Sequence, residues 1–310
     1  MNDGTDDIDL GQDLSPDPDA ARLFETHRRH LMGVAYRMLG SVSEAEDVVQ
    51  DAYMRWHRAE KQGIDNIQAF LTRIVTRLCL DQLKSARRTR ESYVGTWLPE
   101  PLLEAEGYAA ETASDYAHDM SVALMLALER LSPLERAAFI LHDVFDVGFD
   151  EVGQALGRSG AACRQLSSRA REHLREARPR FKVSSEDGDR FTHAFLKASQ
   201  SGDTADLRSL LAEDAVLHSD GGGIRIAAIN LVAGADRIAR FFQGVFHKNG
   251  AGSRLLRFCE INGMPGLITL DFDGAPQTAA FEIRDGLITA IYVVRNPYKL
   301  AHIVGVAGTA

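Results

Sequence analysis

From Ala21 to Arg90 apolar residues recur at three- and four-residue intervals, with almost no Gly or Pro away from Gly40 and Gly63, and this predicts three or four amphipathic helices. The period is lost over 91–117, which reads as a linker holding one apolar knot, Trp97-Leu98-Pro99. Helical spacing returns at about His118 and runs to about Pro179, with breaks at Ser132-Pro133 and Gly157. Past Val183 a helical stretch, RFTHAFLKASQSGDTADLRSLL, gives way to short apolar runs. AVLHSD, LLRFCEI, GLITLDF, TAAFEIRDG and LITAIYVVRN read as strands, with a hairpin turn at Arg284-Asp285-Gly286. Two all-α units, the second a helix-turn-helix, followed by an α+β domain with a curved antiparallel sheet are therefore expected. The expected units are an acidic disordered tail at 1–19, a helical unit at 20–90, the linker at 91–117, a second helical unit at 118–180 and the α+β domain at 186–305.

Composition adds compartment and charge. In 310 residues, 45% hydrophobic, the three cysteines Cys79, Cys163 and Cys259 form no CxxC or Cys/His spacing, so no disulfide framework or zinc site is expected and a reducing cytoplasm fits. The apolar run SVALMLAL at 121–128 is too short to span a bilayer, and the acidic N-terminus is unlike a secretion signal. A net charge of -9 argues against nucleic acid as a partner until it is resolved along the chain. Residues 1–19 carry -7 and 91–119 another -7, while 20–90 carry +5 and 154–182 carry +6. Two basic blocks flank an acidic spacer.

The second basic block lies in FDEVGQALGRSGAACRQLSSRAREHLR, residues 149–175. Phe149, Val152 and Leu156 form one stripe, Gly157 ends the helix, and Ser159 is placed to cap the next. In that second helix Cys163, Leu166, Ala170 and Leu174 face inward, leaving Arg164, Gln165, Ser168, Arg169 and Arg175 outward. Arg and Gln on such a face can pair with guanine and adenine edges in a major groove; a solvated basic helix in an ordinary bundle has the same pattern.

In the first block, QAFLTRIVTRLCLDQLKSARRTR sets Phe70, Leu71, Ile74, Val75, Leu78 and Gln82 on one face. Arg73, Thr76, Arg77 and Lys84 lie on the other, continuing into Arg87, Arg88 and Arg90. That stripe suits backbone phosphates or solvent equally. Upstream, Ser43-Glu44-Ala45-Glu46 reads as a capping box opening a helix with Ala45, Val48, Val49, Ala52 and Trp56 inward. Its outer face, Glu46, Asp47, Gln50, Asp51 and Met54, would repel DNA, and so fits a protein partner or is merely solvated.

These segments together resemble a known family. SEAEDVVQDAYMRWHR resembles the polymerase-binding helix of sigma-70 family factors of the extracytoplasmic-function (ECF) group, AFLTRIVTRLCLDQLKSARR their −10-reading helix, and LSPLERAAFILHDVFDVGFDEVGQALGRSGAACRQLSSRAREHLR their −35-reading helix-turn-helix. The resemblance covers 21–178. It implies that Glu46, Asp47, Gln50, Asp51 and Met54 lie on the face that docks on core RNA polymerase, with Trp56 as core support. It places Asn66, Arg73, Thr76, Arg77, Lys84, Arg87 and Arg88 where −10 DNA is gripped and read, and Ser159, Ala161, Ala162, Arg164, Gln165, Ser168 and Arg169 on the −35 reader. The chain departs from the family at Arg77, where Asn is common, at Gln165-Leu166, where Ser-Arg is frequent, and at Ile224, where Lys is expected; the first two would alter the preferred promoter. The implied partners are the β′ clamp and β flap of the polymerase and promoter DNA, with no membrane, and a monomer when unbound.

TWLPEPL, DGGGIR (220–225) and YVVRNPYKL (292–300) resemble features of ECF factors fused to a SnoaL-like domain of the NTF2-like fold. This implies regulation in cis, through contact between Trp97, Leu98 and Pro99 of the linker and Asp220, Gly221, Gly222, Gly223, Asn296, Pro297 and Lys299, with Trp97 as the natural anchor. Some NTF2-like relatives are isomerases or cyclases, and His193, His218 and Asp220 offer an acid/base set. The triple Gly argues instead for a tight loop, and no catalytic residue, cofactor or metal is expected. The remaining alternative is a free-standing helix-turn-helix regulator with an effector pocket in its C-terminal domain.

Overall fold

The structure, a computed structural model, describes residues 18–303 except 92, 104–107, 109, 113, 115, 176–183 and 250–252. The expected acidic tail lies outside the described residues but for Pro18 and Asp19, which open the first helix. Three helices form the N-terminal unit: α1 (Pro18–Leu39), α2 (Val42–Arg58) and α3 (Ile67–Glu91). α2 starts earlier than its sequence suggests. Its cap is Ser41, whose hydroxyl accepts from the Glu44 amide at 3.1 Å, and not Ser43. Ala45, Val48, Val49, Ala52 and Trp56 are buried, and the Trp56 indole donates to the Ala20 carbonyl at 2.9 Å.

The second unit holds α4 (Val122–Glu129), α5 (Pro133–Phe139), a π-helical turn at Ile140–Val144, α6 (Phe149–Leu156) and α7 (Gly160–Leu174). The punctuation expected here is present. Ser132 and Glu135 form a reciprocal capping box ahead of Pro133, Gly157 ends α6 in the left-handed region, and Ser159 accepts from the Ala162 amide at 3.2 Å. The helical units share one continuous core, because α3 packs on α1 and α2 on one side and on α5 and α6 on the other.

The C-terminal domain begins with α8 (Ser185–Ser201) and α9 (Thr204–Ser209), then β1 (Leu211–Asp220), β2 (Val232–Ala233), α10 (Ala235–Asn249), β3 (Arg254–Ile261), β4 (Met264–Leu270), β5 (Pro276–Arg284) and β6 (Leu287–Val294). A 3-10 turn, Pro297–Leu300, closes it. The sheet order is β2-β1-β6-β5-β4-β3. It is mixed rather than antiparallel throughout, because β1 and β6 run parallel, joined by everything between them. Helix α10 was missing from the strand reading, although Ile238, Phe242 and Val245 carry its spacing. This is the α+β arrangement expected of this part of the chain.

Alternation along the strands, with a register shift in β6 between Ile288 and Ala290, sends residues to two different cores. Ile288 and Ile291 of β6, with Phe281, meet Phe191, Phe195 and Ile238 from the helices. Ala290, Tyr292 and Val294 face the opposite way, where they pack with Leu98 of the linker and Val122 of α4. The sheet is thus a shared wall, closed on one side by its own helices and on the other by the helical half of the chain.

Candidate polymerase and nucleic-acid interfaces and the linker clamp

On α2 the five predicted partner-facing residues, Glu46, Asp47, Gln50, Asp51 and Met54, are all exposed. Met54 stands out as an apolar side chain 42% exposed among carboxylates.

On α3 the predicted basic face needs one correction. Thr76 is fully buried and donates to the Thr72 carbonyl at 2.7 Å. The buried stripe runs through Leu71, Thr72, Val75, Thr76, Cys79 and Leu83, rotated from the predicted one because α5 and α6 also pack on this helix. A threonine that bonds its own helix can be buried at little cost. Asn66 caps α3 through the Ala69 amide at 3.0 Å, Arg73 is half-buried over the Phe70 ring at 5.2 Å, and Lys84 is exposed beside Asp81 at 2.7 Å. Arg87 and Arg88 sit on the last turns of α3, but their side chains lie outside the described residues. Arg77 reaches across to α6, donating to the carbonyls of Ala155 at 3.2 Å and Gln154 at 3.0 Å.

A cleft of about 560 Å³ lies beside that contact, lined by His30, Asn66, Gln68 and Arg73 on one wall and Phe145, Asp146, Glu151 and Gln154 on the other. His30 bonds Thr72 at 3.0 Å and meets the Phe145 ring edge-on at 4.7 Å. Burial, with the nearby His27 and Arg37, holds its pKa down to about 4, so its ring is neutral near neutral pH.

On α7 Cys163, Leu166, Ala170 and Leu174 are buried as predicted, and Ser167 joins them. Ser159, Ala161, Arg164, Gln165, Ser168 and Arg169 are exposed and Ala162 is half-buried. Arg164 lies 5.0 Å from the Phe149 ring centre and Arg169 pairs with Glu135 at 3.1 Å. Both contacts are at the surface, where such pairs are weak.

The linker is held between two domains. On the C-terminal side, Asp220 is fully buried and accepts from four donors: Lys299 Nζ at 2.7 Å, the Leu98 amide at 2.9 Å, the Tyr93 hydroxyl at 2.6 Å and the Gly222 amide at 3.0 Å. Lys299 also donates to the Leu98 carbonyl and lies 4.3 Å from the Trp97 ring centre. Asn296 donates to Tyr93 at 2.8 Å and caps the turn that starts at Pro297. A Cβ on Gly222 would stand 2.4 Å from Asn296 Nδ2. Ile224, exposed, takes no part, and Arg225 is paired with Asp273 at 2.6 Å, so Lys299 supplies the charge opposite Asp220.

The anchor differs from the predicted one. Leu98 is fully buried against Tyr292, Val294 and Leu300, worth about 1.5–3 kcal/mol of apolar burial, and Pro99 is buried beside it. Trp97 is half-buried, with Lys299 on its ring, and it also lies across Gly40 at the end of α1, where an added Cβ would come 2.5 Å from the ring.

Two residues that carry the clamp were not singled out from sequence. Glu100, 6% exposed, accepts from the amides of Val42 and Ser43 and the hydroxyls of Ser41 and Ser43, all within 2.8–3.1 Å, so the linker carboxylate caps α2. A negative charge there also complements the helix dipole. Asn262, in the β3–β4 turn, donates to the Tyr36 hydroxyl at 2.6 Å and the Met120 carbonyl at 3.1 Å, and exchanges two bonds with Leu102. Burial raises the Tyr36 pKa, which keeps that phenol a neutral donor to the Glu100 carbonyl. The only signal for Asn262 was the Asn-Gly pair itself, which reads as a turn and says nothing of its partners.

The weighed acid/base set is not assembled. Asp220 is locked as above, His193 stacks on Phe258 at 3.7 Å, and His218 stacks on Tyr292 at 5.0 Å with burial holding its pKa down to about 4. Among the described residues no group of three His, Cys, Asp or Glu could hold a metal, and no helix is long and apolar enough to cross a membrane.

Comparison with known proteins matches residues 23–89 to Sigma-70 region 2 and residues 121–174 to Sigma-70, region 4. The chain is 39% identical to the ECF RNA polymerase sigma factor SigJ of Mycobacterium tuberculosis over 89% of this chain and 91% of that one. It is 30% identical to a probable ECF factor, SigI, of the same species, covering 89% and 93%. The crystal structure of M. tuberculosis SigJ superimposes with a TM-score of 0.71 at 35% identity, covering 91% of this chain and 98% of that one.

Proposed function

The chain belongs to the ECF RNA polymerase sigma factors, which direct promoter-specific transcription initiation, and from that premise we propose how its domains divide the task. The exposed acidic face of α2 docks on the β′ clamp. Loop 63–66 with α3 grips and reads the −10 strand, and the outward face of α7 reads the −35 element while the β flap holds the second helical unit. The C-terminal domain performs no catalysis; it acts in cis by gripping the linker and so setting the distance between the two DNA-binding units.

One observation supports that last role above the others. Residues 98–100 are bound at one end by Asp220 and Lys299 and at the other by the N-terminus of α2, so a single short segment ties the C-terminal domain to the polymerase-docking helix. The free-standing regulator is not favoured, since both helical units match sigma-70 regions.

Truncation after residue 183, assayed with core polymerase on a random-promoter library, tests the arrangement. Initiation should fall about tenfold, equivalent to some 1.4 kcal/mol, and the tolerated −10 to −35 spacing should broaden; unchanged initiation with unchanged spacing refutes regulation in cis. On the −35 side, Arg164→Ala should cost about 1–3 kcal/mol and relax specificity at one position. Equal loss on every sequence would make Arg164 a phosphate contact.

A further inference from the structure

One end of the C-terminal domain keeps its apolar side chains in solvent. Val94 of the linker, Ile224, Ile226, Ile229 and Leu231 of the loop between β1 and β2, and Phe272 of the β4–β5 turn are all more than half exposed. The segments that carry them adjoin. A Cβ on Gly223 would stand 3.2 Å from Val94 and one on Gly95 3.7 Å from the Ile229 Cα, while Arg225 reaches Asp273 of the turn. Nor is the loop free to fold these side chains inward. The Ile224 and Arg225 amides both bond the Gly221 carbonyl, and Arg295 holds the Ile226 carbonyl while it pairs with Asp271. An apolar surface held out in this way marks a protein contact, and a loop already ordered loses little entropy when one forms.

Charge narrows the partner. Arg225 and Arg295 are neutralised by Asp273 and Asp271, so neither is left as a free cation for nucleic acid or an anionic lipid surface. Position narrows it further. Val94 follows closely on Glu91, where α3 ends, and precedes Glu100, which caps α2. The stretch from Val94 to Glu100 spans at most about 20 Å, so this end of the domain lies within that reach of the helix whose outer face docks on core polymerase. We propose that the apolar end is a further docking surface for core RNA polymerase, so that the domain gripping the linker also holds the enzyme to which the helical units bind. The choice of polymerase rests on the reading of α2 as the docking helix and goes beyond action in cis.

The test titrates the full-length chain, labelled at its N-terminus, with core polymerase. Ile226→Ser with Ile229→Ser should weaken holoenzyme formation about tenfold, while its thermal melt stays that of the parent because both side chains are solvated in the free chain. Phe272→Ser, on a separate turn, should weaken it about threefold, and decides the matter should the double variant melt lower. Asp47→Lys with Asp51→Lys tests the α2 reading on its own. Weakening by the apolar variants alone supports the proposal and removes α2 as the docking helix. Weakening by the α2 variant alone overturns the proposal and leaves that reading standing, and affinity unchanged in every variant overturns both. A parent chain that sediments as a dimer, and as a monomer once Ile226 and Ile229 are changed, with polymerase affinity unaltered, also overturns the proposal and assigns the surface to a second copy.

Discussion

The linker meets the C-terminal domain through buried charges with four donors in place on Asp220, whereas α3 meets α6 through apolar packing, with one exposed arginine bonded across it beside an open cleft. Both contacts join domains of one chain, yet they are built from different interactions. Breaking a buried, fully bonded ion pair strands a charge in a place that cannot solvate it, so the clamp resists parting. The Arg77 bonds across the α3–α6 contact lie at the surface and part at small cost, and it is the apolar core the helical units share that holds them together. The difference teaches that the C-terminal domain and linker are joined by buried polar bonds of fixed geometry, while the two DNA-reading units are joined chiefly by non-directional apolar packing.

The largest expected effect would break the clamp. Lys299→Met leaves Asp220 buried without its cation and should cost about 3–5 kcal/mol, read by urea denaturation followed through Trp97 fluorescence; a loss below that of Arg77→Ala would erase the contrast. Next comes acidification at the α3–α6 side. His30 has a folded pKa of about 4 against an ordinary 6.5, so its contribution is fully present above pH 6.5 and is lost as pH falls from 6.5 towards 4. That difference amounts to about 3 kcal/mol, and His30→Gln should flatten the stability profile in that window; a profile as steep as before assigns the loss elsewhere. Asn262→Ala removes bonds to Tyr36, Met120 and Leu102 at once and should cost about 1–3 kcal/mol, with faster hydrogen exchange at Leu102. Smallest is Arg77→Ala, about 0.3–1 kcal/mol in stability, which a thermal melt should show as a shift of only a few degrees.

How far the chain could be read from sequence follows the same division. Periodicity and punctuation placed α2, the helix-turn-helix and most strands, because the apolar stripe of α2 and the caps at Ser132, Gly157 and Ser159 are local properties. The −35 face was readable for that reason: α7 buries one stripe, through Cys163, Leu166, Ala170 and Leu174, and leaves the opposite face to solvent. Thr76 was misplaced because α3 packs on two sides, and the second is set by residues nearly eighty positions away. Glu100 and Asn262 escaped notice because a carboxylate in a polar linker and an Asn-Gly turn look ordinary until distant chain supplies their partners. Trp97 drew attention by size, while Leu98, smaller and wholly buried, carries the apolar contact.

Glu100 and Leu98 have a consequence for inheritance. Three consecutive linker residues complete two separate folds, capping a helix in one and filling a core in the other, so neither half of the molecule owns them. Recombination that exchanges C-terminal domains between relatives must carry residues 93–102 along with the incoming domain and must match Ser41 and Ser43 in the recipient. A crossover placed after residue 117, which on the sequence map looks like a clean boundary, would separate Asp220 from the linker that it was selected to hold.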